Sequence, residues 1–101
     1  MKLLTKEILK KFEKQGKLKG GDQYVLVKFF CPWNQWRWYA TEYNPKARLF
    51  FGWVSGDFPE LGYFSLDELE RINGPLGMKI ERDKYWDDRT KLSQVTNGDV
   101  I

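Results

Sequence analysis

Between Tyr24 and Trp53 the chain carries four of its five tryptophans, and the densest part runs Lys28-Phe29-Phe30-Cys31-Pro32-Trp33-Asn34-Gln35-Trp36-Arg37-Trp38-Tyr39-Ala40-Thr41-Glu42-Tyr43. Aromatic and β-branched residues at this density favour pleated, half-buried strands. Each buried ring contributes about 150–250 Å² of contact area. A domain of 101 residues has a limited interior. Either the core is unusually aromatic, or some rings face a partner.

The strands follow from this stretch. Tyr24 to Phe30 is predicted as a strand, which Pro32 ends because it offers no backbone donor. Pro32 to Gln35 is turn-like. Trp36 to Tyr43 alternates as a second strand, and Leu49 to Val54 follows Asn44-Pro45-Lys46-Ala47-Arg48 as a third. Two successive short connections favour an antiparallel meander. After the loop from Ser55 to Glu60, Leu61 to Phe64 is a short extended segment. Met78 to Trp86 supplies a final strand at a sheet edge, where its charged residues discourage further pairing.

Two helices complete the pattern. Thr5 can cap a helix from Lys6 to Lys14, with Leu4, Ile8, Leu9 and Phe12 on one stripe. Ser65-Leu66-Asp67-Glu68 matches a capping box before Leu66, Leu69 and Ile72, and Asn73-Gly74-Pro75 ends that helix. Gln15 to Asp22 reads as a polar loop. The expected fold is α+β: an antiparallel meander of about four to five strands packed with an N-terminal helix and a second short helix. Residues 1–92 form one domain in this reading, and 93–101 a frayed tail.

Composition narrows the chemistry. The chain has no histidine, which removes the commonest general base, the commonest transition-metal ligand and the imidazole triads. Its one cysteine, Cys31, follows two phenylalanines and reads as a buried, inert thiol. No cofactor is expected. The net charge of +3 is unevenly placed: residues 1–20 hold seven lysines against two glutamates, and the remainder has two more acidic than basic residues. No apolar run approaches the roughly 20 residues that span a bilayer, so no membrane association is expected and the cytoplasm is the default location.

Alternation divides the second strand into two faces. Trp36, Trp38 and Ala40 share the natural core face; Arg37, Tyr39, Thr41 and Tyr43 share the other. With the turn residue Trp33, the set Trp33, Arg37, Tyr39 and Tyr43 is a candidate surface for a protein partner, because Trp, Tyr and Arg most often anchor interfaces. The competing reading covers this face with helices and makes the rings core. A second candidate is nucleic-acid binding by Lys6, Lys10, Lys14 and Lys28 with the aromatic strand, although no RNA-recognition motif is present. A third is a divalent-metal nuclease centred on Glu81 and Asp83, which strand alternation puts on one face. Gly74-Pro75-Leu76-Gly77 is not a phosphate loop, since it follows a helix and lacks the lysine–hydroxyl ending.

Several segments carry a resemblance together. They are Lys2 to Ile8, Val27 to Phe30 with Pro32-Trp33, Trp36 with Trp38 to Tyr43, Phe50-Phe51-Gly52, Glu60 to Leu66 with Glu68-Leu69, Gly74 to Gly77 and Ile80 to Asp83. Over about residues 1–92 the chain resembles a family of small bacterial proteins catalogued only as a domain of unknown function and carried on plasmids, conjugative elements and phages. The resemblance supplies no established activity, catalytic residue or cofactor to carry over. It implies a setting in which small proteins act on host machinery or on element maintenance, with an accessory or anti-defence role as the extension. The expected function is a non-enzymatic binding protein of a mobile element that engages a host or element protein.

Overall fold

Thr5 opens the first helix: its Oγ1 accepts the Ile8 N–H at 3.2 Å. In a computed structural model, which describes residues 1–17 and 21–98, α1 spans Lys6–Gly16, two residues beyond the sequence expectation. Part of the predicted polar loop (18–20) and the end of the predicted tail (99–101) lie outside the described residues.

Four strands follow as a meander: β1 (Val27–Phe30), β2 (Arg37–Asn44), β3 (Leu49–Ser55) and β4 (Glu60–Ser65). A helix α2 (Leu66–Arg71) comes next, then a one-turn 3-10 segment Pro75–Gly77 and a fifth strand β5 (Glu81–Arg82). The sheet order is β4-β3-β2-β1-β5, and every neighbouring pair is antiparallel. The protein is therefore α+β, with one five-stranded antiparallel sheet.

β5 is shorter than the predicted Met78–Trp86. Asp83 turns the chain immediately after it, accepting the Tyr85 N–H on Oδ1 at 2.9 Å and the Trp86 N–H on its carbonyl at 3.3 Å. β1 is also shorter than predicted, because residues 23–25 leave the sheet. The Val25 N–H donates to the Thr90 carbonyl at 2.8 Å, and the Leu92 N–H to the Gln23 carbonyl at 2.8 Å.

One face of the sheet holds the main core. Phe50 is fully buried and is ringed by Phe12, Phe29, Tyr43 and Phe64, with centroids 4.6–6.0 Å apart across this cluster. α1 contributes Phe12, α2 contributes Leu66 and Leu69, and Leu3 and Ile80 close the periphery. Ser65 caps α2, its Oγ accepting the Glu68 N–H at 3.2 Å; such a cap is worth about 1 kcal/mol.

The opposite face has a small core of its own. Tyr39 is 3% exposed there and packs with Val25 and Val95, flanked by Trp53, Trp86 and Leu92. Val95 belongs to α3 (Leu92–Thr96), a helix that takes its residues 93–96 from the expected frayed tail. The Trp86 indole N–H donates to the Val25 carbonyl at 2.8 Å, which satisfies a half-buried polar group on this side.

Candidate interaction surface

The four residues of the predicted aromatic surface do not share a face. Between Ala40 and Glu42 the β2–β3 register slips by one residue. Such a bulge returns the next side chain to the opposite side. Tyr39 therefore pairs across to Trp53 on the α3 face, and Tyr43 pairs with Phe50 on the α1 face. The bulged residue, Thr41, is buried; its hydroxyl donates to the Phe51 carbonyl at 3.2 Å. Its own carbonyl accepts the Gln15 side-chain N–H at 2.7 Å. Gln15 is thus a buried polar residue of α1 whose task is to satisfy the bulge.

Arg37 and Trp33 are held within the chain. Arg37 Nη1 donates to the carbonyls of Trp36, Asn34 and Cys31 at 2.8, 3.0 and 3.4 Å, and its guanidinium lies 5.5 Å from the Phe30 ring. It clamps the β1–β2 turn. Trp33 lies flat over Gly74, where a Cβ would come within 2.5 Å of the indole, and Trp36 covers Gly56 in the same way. Surplus rings are absorbed by seats that glycine leaves open. Cys31, 4% exposed, lies beneath these rings, and burial pushes its thiol pKa up. A cleft of about 300 Å³ remains beside it, lined by Trp33, Trp36, Trp38, Ile72 and two asparagines, Asn34 and Asn73.

The candidate lysines also part company. Lys6, Lys10 and Lys14 are exposed on α1, whereas Lys28 is 8% exposed on the face opposite α1. Its ammonium lies 3.9 Å from an Asp83 carboxylate and 5.6–5.8 Å from the Trp86 and Tyr39 rings. Loss of hydration lowers the Lys28 pKa, and Asp83 offsets part of that effect. Burial likewise raises the Tyr39 pKa.

Glu81 and Asp83 do lie near the same strand edge, but Asp83 is committed to Lys28 and to its turn. Among the described residues there is no group of three or more Asp, Glu, Cys or His side chains placed to hold a metal ion. The groove nearest Asp83, about 530 Å³, runs between α1 and Trp86 and mixes Lys6, Arg82 and Lys84 with Glu7, Asp83 and Asp88. Lys11 and Asp88 form an ion pair across it.

Tyr85 stands alone in the turn after β5, 96% exposed; a group of exposed apolar side chains lies at the β4 edge. Leu61 and Tyr63 alternate onto the α3 side of the sheet, opposite Trp53 and Phe51. They are 51% and 73% exposed, and Phe58, in the turn before β4, is 84% exposed. Tyr63 meets the half-buried Phe51 edge-on at 5.0 Å, so its ring is braced. The three side chains together expose on the order of 400 Å² of mostly apolar surface. Two features of the sequence point to it: Phe58 before Pro59, and the alternation of Leu61 and Tyr63. Their importance depends on β4 being an edge, which the alternation alone does not encode.

These features define a small α+β protein built on one antiparallel sheet with a core on each face and an apolar outer edge. The chain belongs to the DUF2958 family, described as a protein of unknown function, whose family model matches residues 2–98. No curated protein and no solved structure matches it. Among the described residues, no helix is long and apolar enough to cross a membrane.

Proposed function

We propose that this chain is a non-enzymatic binding protein that engages a protein partner through Phe58, Leu61 and Tyr63. The observation that carries this reading is the exposure of three large apolar side chains on β4 and in the turn before it, whereas Trp33 and Trp36 are seated over glycines. Aromatic side chains braced from one side lose little entropy on docking, which suits them as anchors. The mobile-element setting implied by the resemblance makes a host or element protein the class of partner, with an accessory or anti-defence role as the biological extension. The test is affinity capture from bacterial host lysate with wild type and with a Phe58→Ser/Tyr63→Ser variant of unchanged circular dichroism. Partners retained by wild type and lost by the variant support the reading. Equal recovery by both sinks it.

A second reading draws on α1, whose Lys6, Lys10 and Lys14 are solvent-exposed. If α1 contacts nucleic acid, affinity should fall steeply between about 50 and 200 mM salt, and Lys10→Ala/Lys14→Ala should weaken it. Lys28, buried on the other face, should contribute nothing. A salt-independent signal, or none at low salt, removes this reading.

A further inference from the structure

The two edges of the sheet are finished differently. β5 has two residues and both are charged; short, charged edge strands resist pairing with another chain. β4 has six residues and one charge, Glu60. It pairs with β3 without a break from Glu60 to Ser65, has no bulge, and has no neighbour on its outer side among the described residues. An edge that is regular, uncharged over five positions and flanked by exposed rings lacks the usual protections.

We infer that this edge takes β4 of a second copy of the chain, antiparallel, about a two-fold axis that passes midway between the two Gly62 residues, perpendicular to the sheet. The strand is self-complementary in that register. Directly opposed residues must share a face, and a centre at Gly62 sets Leu61 of each copy against Tyr63 of the other, both on the α3 side. Glu60 meets Phe64 of the other copy, so each glutamate stands beside an apolar residue and not beside its equivalent. The two Glu60 side chains fall at opposite ends of the ladder, about 14 Å apart at roughly 3.4 Å per residue. That exceeds the Debye length of about 8 Å at physiological ionic strength, so their repulsion is screened. A partner strand of another sequence would have to match the same spacing without a charge on β4 to select it; a second copy matches by symmetry.

The pairing would extend the sheet to ten strands and bring both patches together on one face. It borrows from the reading above only the position of those side chains. The apolar patch and strand edge are small for a stable interface, so association belongs in the micromolar range.

Sedimentation velocity over about 5–300 µM spans that range. The wild type should move from 12.1 kDa toward twice that mass. Leu61→Lys and Tyr63→Glu, each checked for native circular dichroism, should each associate at least tenfold more weakly. Mixed in equal amounts they should recover association, because position 61 of one copy opposes position 63 of the other. A wild type that stays monomeric throughout, variants that associate like wild type, or a mixture no stronger than its components overturns the inference. A monomeric wild type that still captures a Tyr63-dependent partner from lysate overturns the second copy alone and leaves the partner reading standing.

Discussion

Replacing Gln15 with methionine removes one polar side chain of nearly unchanged shape and tests whether the bulge determines the fold of β2. The Gln15 amide makes three hydrogen bonds: its nitrogen donates to the Thr41 carbonyl at 2.7 Å and to the Tyr24 carbonyl at 2.8 Å, and its oxygen accepts the Tyr24 N–H at 3.2 Å. Methionine satisfies none of them. The Thr41 carbonyl is buried, so stranding it costs about 1–3 kcal/mol. Tyr24 is 40% exposed, so water can replace part of the other two bonds, and together they account for about 1 kcal/mol. The expected loss is therefore about 3 kcal/mol, a large share of the 5–15 kcal/mol typical of a domain. For a chain of this size it corresponds to a fall in Tm of about 12–24 °C. Urea and thermal unfolding followed by circular dichroism measure it directly. Gln15→Glu should also be destabilised, because a carboxylate accepts from Tyr24 but cannot donate to either carbonyl. A Gln15→Met protein whose Tm stays within about 3 °C of wild type would show that the bulge does not depend on this side chain.

Two further outcomes follow from the geometry. Gly52 lies directly across from Ala40, and a methyl there would be driven into the Tyr39 carbonyl with Ala40 Cα 3.0 Å away, so Gly52→Ala should cost about 3 kcal/mol or more by chemical denaturation; a loss under about 1 kcal/mol would show that β2 and β3 can separate cheaply at that point. The Lys28 pKa is lowered in the folded chain from its ordinary 10.5, so the unfolded chain binds the extra proton in the window just below that value and stability should rise with pH there. The raised Tyr39 pKa acts in the opposite sense above 10.0, so the Lys28 contribution is read as the difference in slope between wild type and a Lys28 variant. Lys28→Met should remove that contribution, and an identical slope in the variant would assign it to another group.

The elements were largely legible because they rest on period. The Thr5 and Ser65 caps, the α1 stripe and the four meander strands each follow from residue spacing. What escaped is what spacing does not carry. A bulge adds one residue without changing composition, so Tyr39 and Tyr43, four apart, look like neighbours on one face and lie on opposite ones. Gly56 and Gly74 read as turn and helix-stop signals, although each also leaves room for an indole. α3 has only five residues, and it holds its place through Val95 and the Gln94 side-chain Oε1, which accepts the Lys91 N–H at 2.8 Å. The exposure of Leu61 and Tyr63 depended on strand order. β5 returns beside β1 and leaves β4 outermost, a choice made by tertiary packing.

The lining of the α3 side is contributed by residues far apart along the chain: Tyr24 bridges to Lys91, and Asp22 binds the Ser93 backbone N–H. On a ribosome, all four meander strands emerge before the segment that shields Tyr39 and Trp53 has been made. Synthesis at about 5–20 residues per second delivers that segment seconds after the meander, whereas hairpins form in about 1–10 µs. Nascent molecules must therefore pass through an interval with one side of the sheet wet and sticky, during which a chaperone or a neighbouring chain has first access to it.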